Sequence, residues 1–188
     1  MFEEYLNILG SISPLSPVSK EALSGHISVK QVPKGDFVLK FGETCRHIYF
    51  VNRGFVRIFY YKGDKDITEW FADEKQFFFS ITSYFQNGPS RLIIEAIEDC
   101  EIIQLSKEGQ DLLRRTNLEI SNLILGFYSR SLILSQQRME SLQFETASNR
   151  YQNLIENQPN ILNKVPLQHI ASFLGITQET LSRIRANL

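Results

Sequence analysis

The stretch Leu167-Gln168-His169-Ile170-Ala171-Ser172-Phe173-Leu174-Gly175-Ile176-Thr177-Gln178-Glu179-Thr180-Leu181-Ser182-Arg183-Ile184-Arg185 reads as two short amphipathic helices joined by a sharp turn. Pro166 suits a first helical position, where its missing N–H costs nothing. Ile170, Phe173 and Leu174 supply an apolar face, and small Ala171 lets a second helix come close. Gly175 provides the turn, since glycine takes a positive φ without steric cost. Thr177 is a suitable N-cap for the second helix, with Leu181 and Ile184 facing inward. Gln178, Glu179, Ser182, Arg183 and Arg185 are then left on the outer surface. These residue types fit DNA reading: arginine contacts guanine O6 and N7 together, glutamine pairs with adenine, and glutamate accepts from cytosine N4. The competing reading is an ordinary two-helix corner with a solvated polar face. The joint presence of Ala171, Gly175, Thr177, Leu181 and Arg183 weighs against it.

Upstream, residues 118–144 contain no proline and carry a helical period. Leu118, Leu125, Leu132 and Met139 recur every seven residues, as do Ile120, Phe127 and Leu134. Two stripes on one helix imply two buried faces, one over the rest of the chain and one against a partner. Further upstream, residues 27–105 are short apolar or alternating runs between turn residues, the pattern of an antiparallel barrel or jelly roll. Asn52-Arg53-Gly54, between the runs 47–51 and 55–60, reads as a hairpin turn.

The remaining arithmetic excludes several classes. The 188 residues are 43% hydrophobic and 22% charged, enough for a packed core. A net charge of −1 argues against binding nucleic acid by bulk charge, though not against one local basic patch. Cys45 and Cys100 form no disulfide framework, and His26, His47 and His169 are too scattered for a zinc site. No signal peptide or membrane-length apolar run is visible, so a reduced, cytoplasmic protein is expected, with no membrane partner, metal, cofactor or catalytic residue.

The run Gln178-Glu179-Thr180-Leu181-Ser182-Arg183 resembles the recognition helix of the Crp/Fnr family of bacterial transcription regulators. Pro33-Lys34-Gly35-Asp36-Phe37-Val38-Leu39 with Gly42-Glu43 is similar to the opening hairpin of that family's cyclic-nucleotide-binding-type barrel. Ile48 to Val51, Gly54 and Val56 to Ile58 are similar to its next two strands. The resemblance implies an α+β chain in three parts: a jelly-roll effector domain over 1–116, a dimerisation helix over 117–145 and a helix-turn-helix domain over 146–188. It implies double-stranded DNA and a second copy of the chain as partners, with RNA polymerase a further one, and a hinge near 144–148. The DNA contacts it implies are Gln178, Glu179, Thr180, Ser182 and Arg183, with Arg185, Lys164 and Gln168 anchoring the backbone in place of the hairpin wing that follows the recognition helix in many relatives.

Cyclic-nucleotide-binding relatives carry a glutamate that accepts from the ribose and an arginine that pairs with the cyclic phosphate. In the matching stretch Phe79 falls on a glycine, Ser80 on the glutamate and Ser90 on the arginine, while Arg91 comes one residue late and points to the opposite face. This departure from the family pattern argues against cyclic AMP; whether the barrel takes another small-molecule effector stays open, and the region that would hold one is Phe79, Ser80, Ile81, Thr82, Tyr84, Ser90 and Arg91. The aromatic residues Phe77, Phe78, Phe79, Tyr84 and Phe85 either line such a pocket or simply fill the barrel. Two other functions compete: a ligand-sensing interaction protein without DNA binding, and a cupin-like barrel enzyme. The second lacks the convergent histidines its metal would need.

Overall fold

The computed structural model describes residues 2–187. Helices α1 (Glu3–Ile12) and α2 (Pro17–Ser24) precede the strands. Ser16 caps α2 by accepting from the Ser19 N–H, and Pro17 occupies its first turn. The strands are β1 (Ile27–Val32), β2 (Phe37–Leu39), β3 (His47–Arg53), β4 (Val56–Lys62), β5 (Lys65–Ala72), β6 (Phe77–Phe78), β7 (Ile93–Ala96) and β8 (Cys100–Ser106), with the short helix α3 (Ile81–Gln86) between β6 and β7. They form two four-stranded antiparallel sheets, in the orders β1-β8-β3-β6 and β2-β7-β4-β5. The α+β jelly-roll reading thus describes the chain.

Two local readings are corrected. Asn52-Arg53-Gly54 is not a hairpin turn, because β3 and β4 lie in different sheets and the chain crosses between them there. The segment from β1 to β2 is likewise a crossover. A jelly roll interleaves its strands, so neighbours in sequence face each other across the core instead of pairing. Gly54 is required at its crossover: its φ is +100°, and a Cβ there would stand 2.7 Å from the Asp99 carbonyl oxygen and the Cys100 sulfur. Strands β4 and β5 do form a hairpin, through Gly63-Asp64.

The barrel core includes Tyr49, Val51, Val56, Ile58, Phe78, Ile94 and Ile102. After α4 (Lys107–Leu113), α5 runs from Leu118 to Phe144, as its period predicts, and Asn117 caps it by accepting from the Ile120 N–H. Its first half buries Ile120, Leu123, Ile124 and Phe127 against α1 and the barrel. Leu118, Leu125, Leu132 and Met139 are exposed on the other stripe. Leu134, on the stripe of Ile120 and Phe127, is exposed too, since the buried residues of α5 end at Phe127.

Four helices follow: α6 (Ala147–Asn157), α7 (Ile161–Lys164), α8 (Leu167–Leu174) and α9 (Gln178–Ala186). Pro166 is the extended N-cap of α8 and not its first residue, with ψ 140°. This head is not separated from the barrel. Tyr151, Leu154, Ile161, Val165, Ile170, Leu174 and Leu181 share one apolar core with Phe55 and Phe71 of the barrel. Strand β5 is a sheet edge, and α8 covers it. The Ser172 hydroxyl accepts from the Thr68 N–H at 2.9 Å and donates to the Asp66 carbonyl at 3.3 Å, satisfying edge groups that would otherwise lack partners.

Candidate nucleic-acid interface

The turn between α8 and α9 is built by local chemistry. Gly175 sits at φ +70°, its N–H donates to the Ser172 carbonyl, and the Ile176 N–H donates to the Ala171 carbonyl. This is a Schellman closure, followed at once by Thr177, whose hydroxyl accepts from the Thr180 N–H. Leu181 is fully buried and Ile184 packs beside it, which turns the opposite side of α9 to solvent.

Gln178, Glu179, Ser182, Arg183 and Arg185 are all exposed, and Gln168 is exposed on α8. Thr180 is half-buried, with its hydroxyl 3.2 Å from that of Thr177. Glu179's own backbone N–H, then the Thr177 hydroxyl, hold its carboxyl below the usual range, so it is ionised and purely an acceptor at neutral pH. Arg183 and Thr180 line a cleft of about 230 Å³ with Ile184, Asn187 and Ser148, the last from the first turn of α6. Ser148 was expected from sequence as part of the hinge near 144–148, not beside the DNA-facing residues. Its placement depends on the Thr146 cap that starts α6, where Thr146 accepts from the Asn149 N–H.

Lys164 does not stand free as a backbone anchor. Its ammonium lies 3.1 Å from Asp73 and 3.2 Å from Glu98, above the Phe55 ring, and is half-buried between head and barrel. Both carboxylates come from the barrel, far away in sequence, and they occupy the charge that a phosphate would need.

The expected effector residues split into two sets. Ser80 and Ser90 are buried, and their hydroxyls bond each other at 2.8 Å; Ser90 also donates to the Leu92 carbonyl at 2.9 Å. The positions matching the ribose-binding glutamate and phosphate-binding arginine are thus closed on one another. Phe79 and Tyr84 are buried ring to ring, with centroids 5.2 Å apart, and Phe79 also meets Phe127 of α5. Ile81 and Thr82 are exposed on α3, and Arg91 is exposed before β7, so these three do not converge with the others. The aromatic residues mainly fill the interior, Phe85 being exposed beside Tyr128.

Cys45 and Cys100 are buried free thiols, and burial pushes both up from the ordinary cysteine value. Burial lowers the His47 imidazole. Among the described residues no group of three or more His, Cys, Asp or Glu side chains is placed to hold a metal, and no helix is long and apolar enough to cross a membrane.

Residues 29–116 match the family described as the cyclic nucleotide-binding domain. No curated protein sequence matches the chain. Among solved structures, FixK2 from Bradyrhizobium japonicum is 20% identical, with a TM-score of 0.72 over 86% of this chain and 84% of that one. A protein from Eubacterium rectale, described as a transcriptional regulator of the Crp/Fnr family, is 16% identical with a TM-score of 0.71, over 97% and 86% of the two chains. The catabolite activator protein of Thermus thermophilus is 23% identical, with a TM-score of 0.58 over 96% and 86%. Residues 29–116 are therefore similar to a cyclic nucleotide-binding domain. The chain shares the fold of these solved structures, with its jelly roll, long helix and C-terminal helices.

Proposed function

We propose that this chain is a homodimeric, sequence-specific DNA-binding transcription regulator of the Crp/Fnr type, without enzymatic activity, acting in the cytoplasm. The observation that carries the reading is the exposed face of α9, where Gln178, Glu179 and Arg183 stand together beyond a capped, glycine-turned helix pair. Arg183 follows one turn after Glu179 on the same side and has the reach and planar fork to take a guanine edge. Arg185 and Gln168 hold phosphates. Residues 1–116 act as the sensor, 117–145 as the dimerisation helix and 146–188 as the reading head.

The exposed stripe Leu118, Leu125, Leu132 and Met139 supports dimerisation, since a row of bare leucines on a helix is stable in water chiefly when a partner covers it. A two-fold dimer carries two recognition helices into successive major grooves, about 34–36 Å apart. The Ser80–Ser90 hydrogen bond supports a sensor that does not take cyclic AMP, because neither hydroxyl replaces the charged pair that binds ribose and phosphate. A mobility-shift assay on genomic fragments, with wild type and Arg183→Ala, tests the reading. Wild type forms discrete complexes and Arg183→Ala loses them. Absence of any complex, or indifference to Arg183 at every site, refutes it and favours an interaction protein that does not bind DNA.

A further inference from the structure

The last four carbonyls of any α-helix lack intrahelical partners. In α8 these belong to Ala171, Ser172, Phe173 and Leu174. The Schellman closure takes the first two, through Ile176 N–H and Gly175 N–H. The other two are taken by arginine side chains from outside the helix pair. Arg138, on α5, donates to the Phe173 carbonyl and lays its guanidinium 3.8 Å from the Phe173 ring centre. Arg150, on α6, donates to the Leu174 carbonyl from Nε at 3.0 Å and from Nη2 at 2.9 Å. Its Nη1 reaches back to the carbonyls of Glu145 and Ser141, at the end of α5.

We infer that Arg138 and Arg150 are positioning residues for DNA reading, fixing the angle of the helix-turn-helix to α5 and hence the spacing between the two heads. The inference rests on the function proposed above. Three features carry it. The arginines join the end of α5 to the end of α8, and only Gly175, Ile176 and Thr177 separate α8 from the recognition helix, so α9 inherits the orientation they impose. Leu142 of α5 lies under the same turn, 3.5 Å from where a Cβ on Gly175 would be. Both arginines are half-buried. Arg150 turns Nε, Nη1 and Nη2 to backbone carbonyls, and Arg138 turns Nη2 to one while its plane lies on the Phe173 ring, which sets them apart from the exposed phosphate contacts. Burial, then the neighbouring charge of Arg150, pulls Arg138 down to about 10, so two cations converge at some cost. The negative end of α8 offsets that repulsion. Arginine suits 150 because its planar fork meets the Leu174 and Glu145 carbonyls from separate nitrogens, where a lysine would have to reach both from one.

The test has two arms. In the first, the two-half-site duplex recovered by wild type from random DNA is rebuilt with its half-sites moved by one or two base pairs, alongside a duplex holding one half-site. Arg150→Gln and Arg138→Gln are expected to lose about tenfold in affinity at the wild-type spacing, the size of one or two charge-assisted bonds. Their preference among spacings flattens, their binding to the single half-site stays within about twofold of wild type, and Arg150→Lys recovers only part of the loss. In the second arm, spin labels at Gln137→Cys and Ala186→Cys report the angle between α5 and α9, with the labelled chain diluted in unlabelled protein. The native thiols are buried, which directs the label. A narrow wild-type distance distribution that broadens in Arg150→Gln and in Arg138→Gln supports the clamp. Equal loss on all duplexes with an unchanged distance distribution overturns it. If wild type binds no duplex, the proposed function fails, and the distance distributions still decide the clamp.

Discussion

Leu132 offers a clean separation of folding from assembly. It leaves 71% of its surface in water within the single chain, so replacing it removes little from the fold. Fully burying a leucine contributes about 1.5–3 kcal/mol. Covering the 71% that stands bare is therefore worth roughly 1–2 kcal/mol per chain, and a two-fold interface counts it twice, giving roughly 2–4 kcal/mol per dimer. At about 1.4 kcal/mol per decade, the dimer dissociation constant of Leu132→Ser should rise roughly 30- to 1,000-fold. Leu132→Glu should exceed that, because a carboxylate would have to be desolvated on each side of the interface. Sedimentation equilibrium over a concentration series measures the constant. Thermal unfolding of the resulting monomer should stay within about 0.5 kcal/mol of a wild-type monomer reference, as for an exposed substitution. A wild type that is monomeric at micromolar concentration, or a Leu132→Glu dimer as tight as wild type, would refute the reasoning.

Three further outcomes follow from particular contacts. Gly54→Ala adds a Cβ into a 2.7 Å approach at positive φ, so a stability loss of about 2 kcal/mol or more is expected in chemical denaturation, with no loss contradicting the crossover geometry. Cyclic AMP and cyclic GMP should bind no more tightly than about millimolar in calorimetry, near −4 kcal/mol, because Ser80 and Ser90 satisfy each other; micromolar binding would show the site is open to them. Asp66, whose carboxyl is held below its usual value first by the hydrogen bond from Arg57, should stabilise the native chain at pH values above the ordinary aspartate range. That contribution fades as the pH falls through the lowered native value, so Asp66→Asn should flatten the acid limb of a stability–pH profile, and an unchanged limb would show the Arg57 pairing to be inert.

The parts legible in the sequence are those set by neighbours a few residues apart. Thr177 caps α9 and Gly175 closes α8 through bonds within three to five residues, so residue type and spacing sufficed. The period of α5 located that helix for the same reason. Strand partners in a jelly roll are fixed by contacts distant in the chain, which is why Asn52-Arg53-Gly54 imitates a hairpin while carrying the chain between sheets. The run Phe77-Phe78-Phe79 has no period to reveal the two-residue strand β6, and α3 is too short to show one. Lys164 reads as a free cation only until Asp73 and Glu98 arrive from the barrel. Arg138 and Arg150 carried no motif, since their acceptors are backbone carbonyls, which every residue possesses. The Ser16-Pro17 pair marks the start of α2 by the same local chemistry, an N-cap serine followed by a first-turn proline.

Selection of bound sequences from random double-stranded DNA, run in parallel with wild type and Arg183→Ala, tests the central claim most directly. The account predicts that wild type enriches an inverted repeat whose half-site centres lie about 10–10.5 base pairs apart, and that Arg183→Ala relaxes preference at one position per half-site at a cost of about 1–3 kcal/mol. Failure of wild type to enrich any sequence, or enrichment of sites without two-fold symmetry, would contradict it.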